Sequence, residues 1–187
     1  MSYWTFDDVY EELGVPKTFM NNAFGLIGTR GVPRRSFNTF ALLHRLGEEQ
    51  LTIDAGPVLA TRLRDGSLSI LVWNLIPRAK GQHTSMGDPT SQMQDRYATE
   101  GKAITVSLQV HGKRINKRAQ VTHVDEDHGS AMPAYRRMGS PPYPTVEQIA
   151  HLKQAAALPS PEALHVEHEG ILRVTLPPNG VALVEIG

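Results

Sequence analysis

The chain has no cysteine among its 187 residues. That excludes a disulfide framework and any thiolate metal site, and it allows a reducing compartment without proving one. It has no net charge either. Nineteen Lys and Arg balance nineteen Asp and Glu, so no overall field draws it to nucleic acid or to an anionic membrane. No apolar run approaches the about 20 residues needed to span a bilayer. The N-terminus lacks the basic region, apolar core and small-residue cleavage site of a signal peptide. As it stands the chain is expected to be cytoplasmic, with no membrane partner; if Met1 lay inside a longer protein, the missing signal would carry no information. Aromatic residues are scarce, at 6%, and form no convincing row of the kind that makes a carbohydrate-binding face.

What is present is an ordinary globular composition, 40% hydrophobic and 20% charged, with room for one large domain or one domain and part of another. The first fourteen residues stand out. Tyr3, Trp4, Thr5 and Phe6 are strand formers, and they run straight into Asp7, Asp8, Glu11 and Glu12. Tyr and Trp bury area while keeping one polar handle, and carboxylates are strong acceptors. The combination suits a sugar pocket at the end of a buried strand; it also suits a plain strand and turn.

Taken in order, residues 2–6 read as a strand and 7–12 as the loop at its end. Gly14-Val-Pro16 stops any helix, and 17–33 read as an irregular loop rich in Asn, Gly and Pro. Ser36 is placed to cap a helix of about ten residues with Phe37, Phe40, Ala41, Leu43 and Leu46 near helical spacing and Gly47 as the stop. Residues 1–47 thus form one β/α unit, which cannot cover both faces of its strand alone and wants neighbours. Strands follow at Val58–Arg64 and Ser67–Trp73 around Asp65-Gly66. Residues 77–101 form a long polar insertion. Further strands are expected at Ala103–Val110, Ala119–Val124, 163–168, 171–176 and 181–186, with Pro178-Asn-Gly180 turning the last pair. Thr145 and Gln148 make a capping box for a helix near 146–156. So many short strands predict a sandwich or barrel for 48–187.

The residues carry a resemblance. Ser2-Tyr-Trp-Thr-Phe-Asp-Asp-Val-Tyr-Glu-Glu12, Gly14-Val-Pro16 and Phe24-Gly-Leu26 resemble the last barrel segment of glycoside hydrolase family 39, the β-xylosidases and their α-L-iduronidase relatives. The similarity continues through Ser36-Phe-Asn-Thr-Phe-Ala-Leu-Leu43, Leu46-Gly47, Asp65-Gly-Ser67, Trp73-Asn74, Asp125-Glu-Asp-His-Gly129, Tyr143-Pro144 and Val181–Glu185. The resemblance implies a mainly β fold: a β-sandwich accessory domain (48–187) preceded by the last strand, loop and helix (1–47) of a (β/α)8 barrel. It implies a retaining glycosidase that uses no cofactor and acts on a xylose-type glycoside.

A retaining glycosidase needs two carboxyl groups about 5–5.5 Å apart across the scissile bond. In the family these come from the fourth and seventh barrel strands, which this sequence does not contain, so no catalytic residue is expected in the chain and the isolated chain is expected to be inactive. Glu11 and Glu12 make a poor pair, because adjacent side chains diverge in either a strand or a helical turn. By the resemblance, Trp4 would floor the sugar subsite, and Glu11 and Glu12 would accept bonds from sugar hydroxyls. Glu11 falls where the uronidases need a cation, which favours a neutral glycone such as xylose. Residues 20–23, Met-Asn-Asn-Ala, depart from the expected His-Gly-Gly run, and Met1 would fall inside the eighth strand. A truncated, split or excised product is therefore expected, its partner the remaining barrel portion, with exposed apolar surface that favours self-association. Two alternatives stay open: a non-catalytic β-sandwich module binding carbohydrate or protein, and a subunit completing a split barrel.

Other constellations read as structural. His123, Asp125, Glu126, Asp127 and His128 are a linear mixed run in a loop rather than converging metal ligands. His165 and His168 would sit on opposite faces of a strand. Lys113, Arg114, Lys117 and Arg118 form a small basic patch without interleaved aromatics, so nucleic acid is not an expected partner. Phe37, Phe40 and Leu43 read as core, and Trp73 as a core or interface aromatic.

Overall fold

The computed structural model describes residues 5–8, 19–20, 25–53, 56–76, 101–111 and 118–187. These are mostly β-sheet with few helices. The expected polar insertion lies almost wholly outside them, as do most of the first strand, the Gly14-Val-Pro16 breaker, and Lys113, Arg114 and Lys117 of the basic patch.

A ribbon of β1 (Ile27–Gly28) and β2 (Val32–Pro33) leads into helix α1 (Arg35–Leu43). Next come β3 (Glu49–Gln50), β4 (Val58–Arg62), β5 (Leu68–Trp73), β6 (Ile104–Gln109) and β7 (Ala119–Val124). Helices α2 (Met132–Arg137) and α3 (Val146–Ala155) precede β8 (Glu162–Leu164), β9 (Ile171–Leu176) and β10 (Val181–Ile186). Six strands form one antiparallel sheet in the order β3-β4-β5-β10-β7-β8, and β6 pairs with β9 in a second.

The closing strands explain this order. Ala182, Leu183 and Val184 of β10 are all fully buried, a continuous apolar run that demands cover on both faces. Accordingly β10 takes the centre of the larger sheet, between β5 and β7. In β9, Leu172, Val174 and Leu176 are buried and alternate with more exposed residues, so one face of that strand meets solvent. The turn at Pro178-Asn-Gly180 forms, with Asn179 at φ 56°, but the two strands it joins belong to different sheets. The expected terminal hairpin is therefore a crossover. The expected strand 163–168 is also shorter: it stops at Leu164, and His168–Gly170 is a 3-10 turn with Glu169 at positive φ.

One face of the six-stranded sheet shares a core with the two-stranded one, through Ile70, Val72, Val121 and Val184 with Leu172, Val174 and Leu176. Its other face packs Leu71, Val124 and Leu183 against Leu42 of α1. A third cluster joins Phe19, Val32, Tyr135, Leu152 and Ala156 across α2, α3 and the ribbon.

The β4–β5 hairpin turns at Asp65-Gly66 as expected: Gly66 is at φ 84°, and the Asp65 carboxylate accepts from the Ser67 amide at 2.9 Å. The capping box of α3 forms too, the Gln148 amide donating to Thr145 Oγ1 at 3.2 Å and the Thr145 amide to Gln148 Oε1 at 2.9 Å. Helix α1 differs from its expectation. It starts one residue before Ser36, and its buried residues are Asn38 and Leu42 rather than the phenylalanines. Asn38 takes a core position because its Nδ2 donates to the buried carbonyls of Gly129 (2.9 Å) and Ala156 (2.8 Å). Helix α2 has no counterpart in the sequence reading. It is short, carries Pro133 in its first turn, and its Met132 amide donates to Ser130 Oγ at 3.3 Å.

Candidate functional site

Residues 5–8, the chain around Gly25–Ile27 and Arg34 meet at one junction. The Leu26 amide donates to the Thr5 carbonyl at 3.1 Å and the Ile27 amide to the Phe6 carbonyl at 2.9 Å, and Asp7 bridges Ile27 in parallel sense. The segment 5–8 thus lies alongside the start of the ribbon. The end of the expected irregular loop, residues 27–33, holds a strand pair, and the carbonyls of Thr5 and Phe6 supply acceptors to the amides that lead into it.

Asp8 lies at this junction with 1% of its side chain exposed. Arg34 Nη2 bridges its two carboxylate oxygens, at 3.0 Å from Oδ1 and 2.8 Å from Oδ2. The Gly25 amide donates to the same Oδ1 at 3.1 Å. A Cβ on Gly25 would stand 2.6 Å from the Asp8 nitrogen and 2.7 Å from Oδ1, so the approach requires glycine. Asp7 is exposed, and its carboxylate accepts from the Asp8 amide at 2.8 Å. Of the acids expected to face hydroxyls, Asp8 is committed inward. Arg34 was missed in the sequence because its partner lies 26 residues upstream; its place just after Pro33 and before a helix without a side-chain cap was the available signal. Trp4, Glu11 and Glu12, the expected sugar-binding residues, lie outside the described residues.

The acidic run 125–128 is a tight loop. The buried Asp125 carboxylate accepts from the amides of Asp127 (2.9 Å) and His128 (3.0 Å), and lies 2.7 Å from His128 Nδ1. Glu126 pairs with Arg35 of α1 at 3.2 Å and Arg136 of α2 at 2.8 Å. His123 stacks 5.8 Å from the His128 ring. Burial holds its pKa below the ordinary 6.5, and His128 adds to that effect, while Asp125 and Glu162 oppose it. These carboxylates are taken up by backbone amides and arginines, and among the described residues no three His, Asp or Glu side chains are grouped to hold a metal ion. Trp73 is half-buried against Leu42, Leu71 and Leu183. Its neighbour Asn74 donates from Nδ2 to the carbonyls of Lys102 (2.9 Å) and Leu176 (3.1 Å), which ties β5 to the ends of β6 and β9.

Residues 1–172 match the family described as "Glycosyl hydrolases family 39". The chain belongs to that family. It is 31% identical over 186 residues to a β-xylosidase of Geobacillus stearothermophilus, covering 99% of this chain and 33% of the relative. It is 26% identical over 160 residues to a β-xylosidase of Caldicellulosiruptor saccharolyticus, covering 84% of this chain and 29% of the relative. The chain therefore spans about a third of the length of the curated relatives it matches. Its fold is similar to the crystal structure of a monomeric β-xylosidase from Caulobacter crescentus, with a TM-score of 0.73 at 24% identity, over 100% of this chain and 37% of that one.

Proposed function

We propose that the chain is the C-terminal portion of a retaining family 39 glycosidase that removes β-xylosyl residues. In this reading residues 1–47 are the last strand, loop and helix of a (β/α)8 barrel, and 48–187 are its β-sandwich. The observation that carries it is the 31% identity to a β-xylosidase over 186 residues, reaching only 33% of that enzyme. The remaining barrel portion supplies both catalytic carboxylates. Barrel enzymes place their sites at the C-terminal ends of the strands, which is where this reading puts Trp4 and the stretch from Asp7 to Glu12. Trp4 floors the glycone subsite, and Glu11 and Glu12 accept bonds from sugar hydroxyls, contributing binding and orientation rather than proton transfer. The substrate is a xylose-type glycoside, and the chemistry needs no cofactor. A cytoplasmic location belongs to the same reading.

An autonomous carbohydrate-binding module is the weaker reading. It needs exposed aromatics along one sheet face, and among the described residues the exposed aromatics, Phe6 and Tyr143, lie outside the strands.

The test is hydrolysis of a chromogenic β-xyloside by the purified chain, alone and mixed with the barrel portion of a family 39 enzyme. The expected result is silence alone and activity on mixing. Activity of the chain alone, abolished by Glu11→Gln or Glu12→Gln, would refute the placement of the catalytic pair elsewhere. Silence in both would favour the binding module.

A further inference from the structure

We propose that His123 and His128 form a two-histidine site for a divalent transition-metal ion of the zinc, copper or nickel class, with Asp125 as its positioning residue. The chemistry starts at the Asp125 carboxylate, whose side chain is 4% exposed. Its Oδ1 accepts from the amides of Asp127 and His128 and lies 2.7 Å from His128 Nδ1. An ionised carboxylate only accepts, so in the neutral imidazole the proton sits on Nδ1 and the lone pair on Nε2. Metal-ligating histidines are held in this way, by a carboxylate at the ring nitrogen that does not bind the ion. The His128 side chain is half-exposed. Neither histidine has a buried nitrogen without a partner, so the Nε2 lone pair of His128 opens to solvent.

Distance supplies the second ligand. The His123 ring centroid lies 5.8 Å from that of His128, with the planes tilted by 42°. Imidazole nitrogens bind zinc at about 2.0–2.1 Å, which places the centroids of two rings sharing one ion about 5–6 Å apart. His123 belongs to β7, and the chain from Asp125 to His128 is closed by the Asp125 amide donating to the His128 carbonyl at 3.0 Å, so both rings start from held backbone. The Asp125 and Glu162 carboxylates bear on the His123 ring electrostatically and favour positive charge there. Imidazoles suit zinc, copper and nickel, whereas magnesium and calcium take oxygen ligands. Among the described residues no third His, Asp or Glu joins the pair. Water therefore fills the remaining positions, and the site is an open one. The loop it braces carries Glu126, which pairs with Arg35 of α1 and Arg136 of α2, so a bound ion stabilises the joint between β7 and both helices.

The probe is Zn²⁺, titrated calorimetrically into the 187-residue chain above pH 7, where an ordinary imidazole is neutral. The parent is compared with His123→Gln, His128→Gln, the double variant, Asp125→Asn, and His165→Gln as a control outside the cluster. The expected result is one ion per chain in the parent and in His165→Gln. Either single variant abolishes that binding, and the double variant does no worse, because one ion needs both rings. Asn at 125 keeps an acceptor but loses the charge, and the expected loss of affinity is about 10–100-fold. The melting temperature should rise with Zn²⁺ in the parent and stay put in His123→Gln and His128→Gln. No binding by the parent, binding unchanged in either single variant, or losses that add in the double variant would overturn the proposal, the last by showing two separate surface histidines. Should His123→Gln or Asp125→Asn not fold, electron paramagnetic resonance with Cu²⁺ decides between the parent and His128→Gln. Coupling to two imidazole nitrogens in the parent and one in the variant supports the shared site, and the same count in both overturns it.

Discussion

Replacing Asn38 by Ala tests how helix α1 is joined to the loop at Gly129 and the end of α3. The side chain is 2% exposed, and its Nδ2 donates to two carbonyls 91 and 118 residues away, Gly129 at 2.9 Å and Ala156 at 2.8 Å. Ala removes both donors and leaves both acceptors in a buried place. Each buried polar group left unsatisfied costs about 1–3 kcal/mol, so the loss is about 2–6 kcal/mol out of a total of about 5–15. For a chain of this size that corresponds to a fall in Tm of roughly 4–24 °C. Urea unfolding of the 187-residue chain, followed by circular dichroism, reads the change as a shift in midpoint at constant slope. Asn38→Asp sharpens the test, because a carboxylate of the same size has no donor and faces two carbonyls, so it should lose more than Ala. A loss below about 0.5 kcal/mol for Ala, the ordinary range of a surface change, would show that water replaces the amide and that this junction does not hold α1 in place.

Two further outcomes follow from the packing. A Cβ on Gly47 would meet the Arg62 carbonyl and the Leu63 amide, all backbone, and the Gly47 amide donates to Thr61 Oγ1 at 2.8 Å; Gly47→Ala is therefore expected to cost about 3 kcal/mol, the upper end of overpacking, and a Tm unchanged within a degree would refute the close approach. Burial lowers the His123 pKa from 6.5 in the folded chain, so the unfolded state binds the proton more readily and His123 costs stability as pH falls below 6.5. Unfolding free energies of the parent and His123→Gln should run parallel above pH 7 and converge or cross as pH falls to 5, whereas parallel lines throughout would refute the assignment.

Turns and alternation carried most of what the sequence made legible. Asp65-Gly66 and the Thr145–Gln148 capping box act within a few residues, and local chemistry decided them. The bounds of β7, Ala119–Val124, follow from its apolar alternation and match expectation. What was not legible depended on distant partners. Nothing near Asn38 in the chain says that a polar residue will occupy the core face of α1, because its two acceptors lie in a loop and at the end of α3. Arg34 could not be matched to Asp8 for the same reason. Helix α2 escaped because six residues with a proline in the first turn give no helical period to detect. The last hairpin was misread because the turn signal is local, whereas the choice of sheet is made by how many faces each strand must bury.

Among the described residues, four of the buried polar side chains, Asp8, Asn38, Asn74 and Asp125, belong to stretches that make the chain recognisable. Asp8 falls within the opening motif, Asn38 within Ser36–Leu43, Asn74 beside Trp73, and Asp125 at the head of the acidic run. Three of them join stretches apart in sequence: Asp8 with Gly25 and Arg34, Asn38 with Gly129 and Ala156, Asn74 with Lys102 and Leu176. Asp125 instead closes its own loop through the Asp127 and His128 amides, and Glu126 beside it ties that loop to α1 and α2. A buried polar group tolerates few substitutions, since its partners must be matched in position and in donor or acceptor sense. A family signature of this kind is therefore largely a record of architecture. It certifies the fold more strongly than it certifies a site.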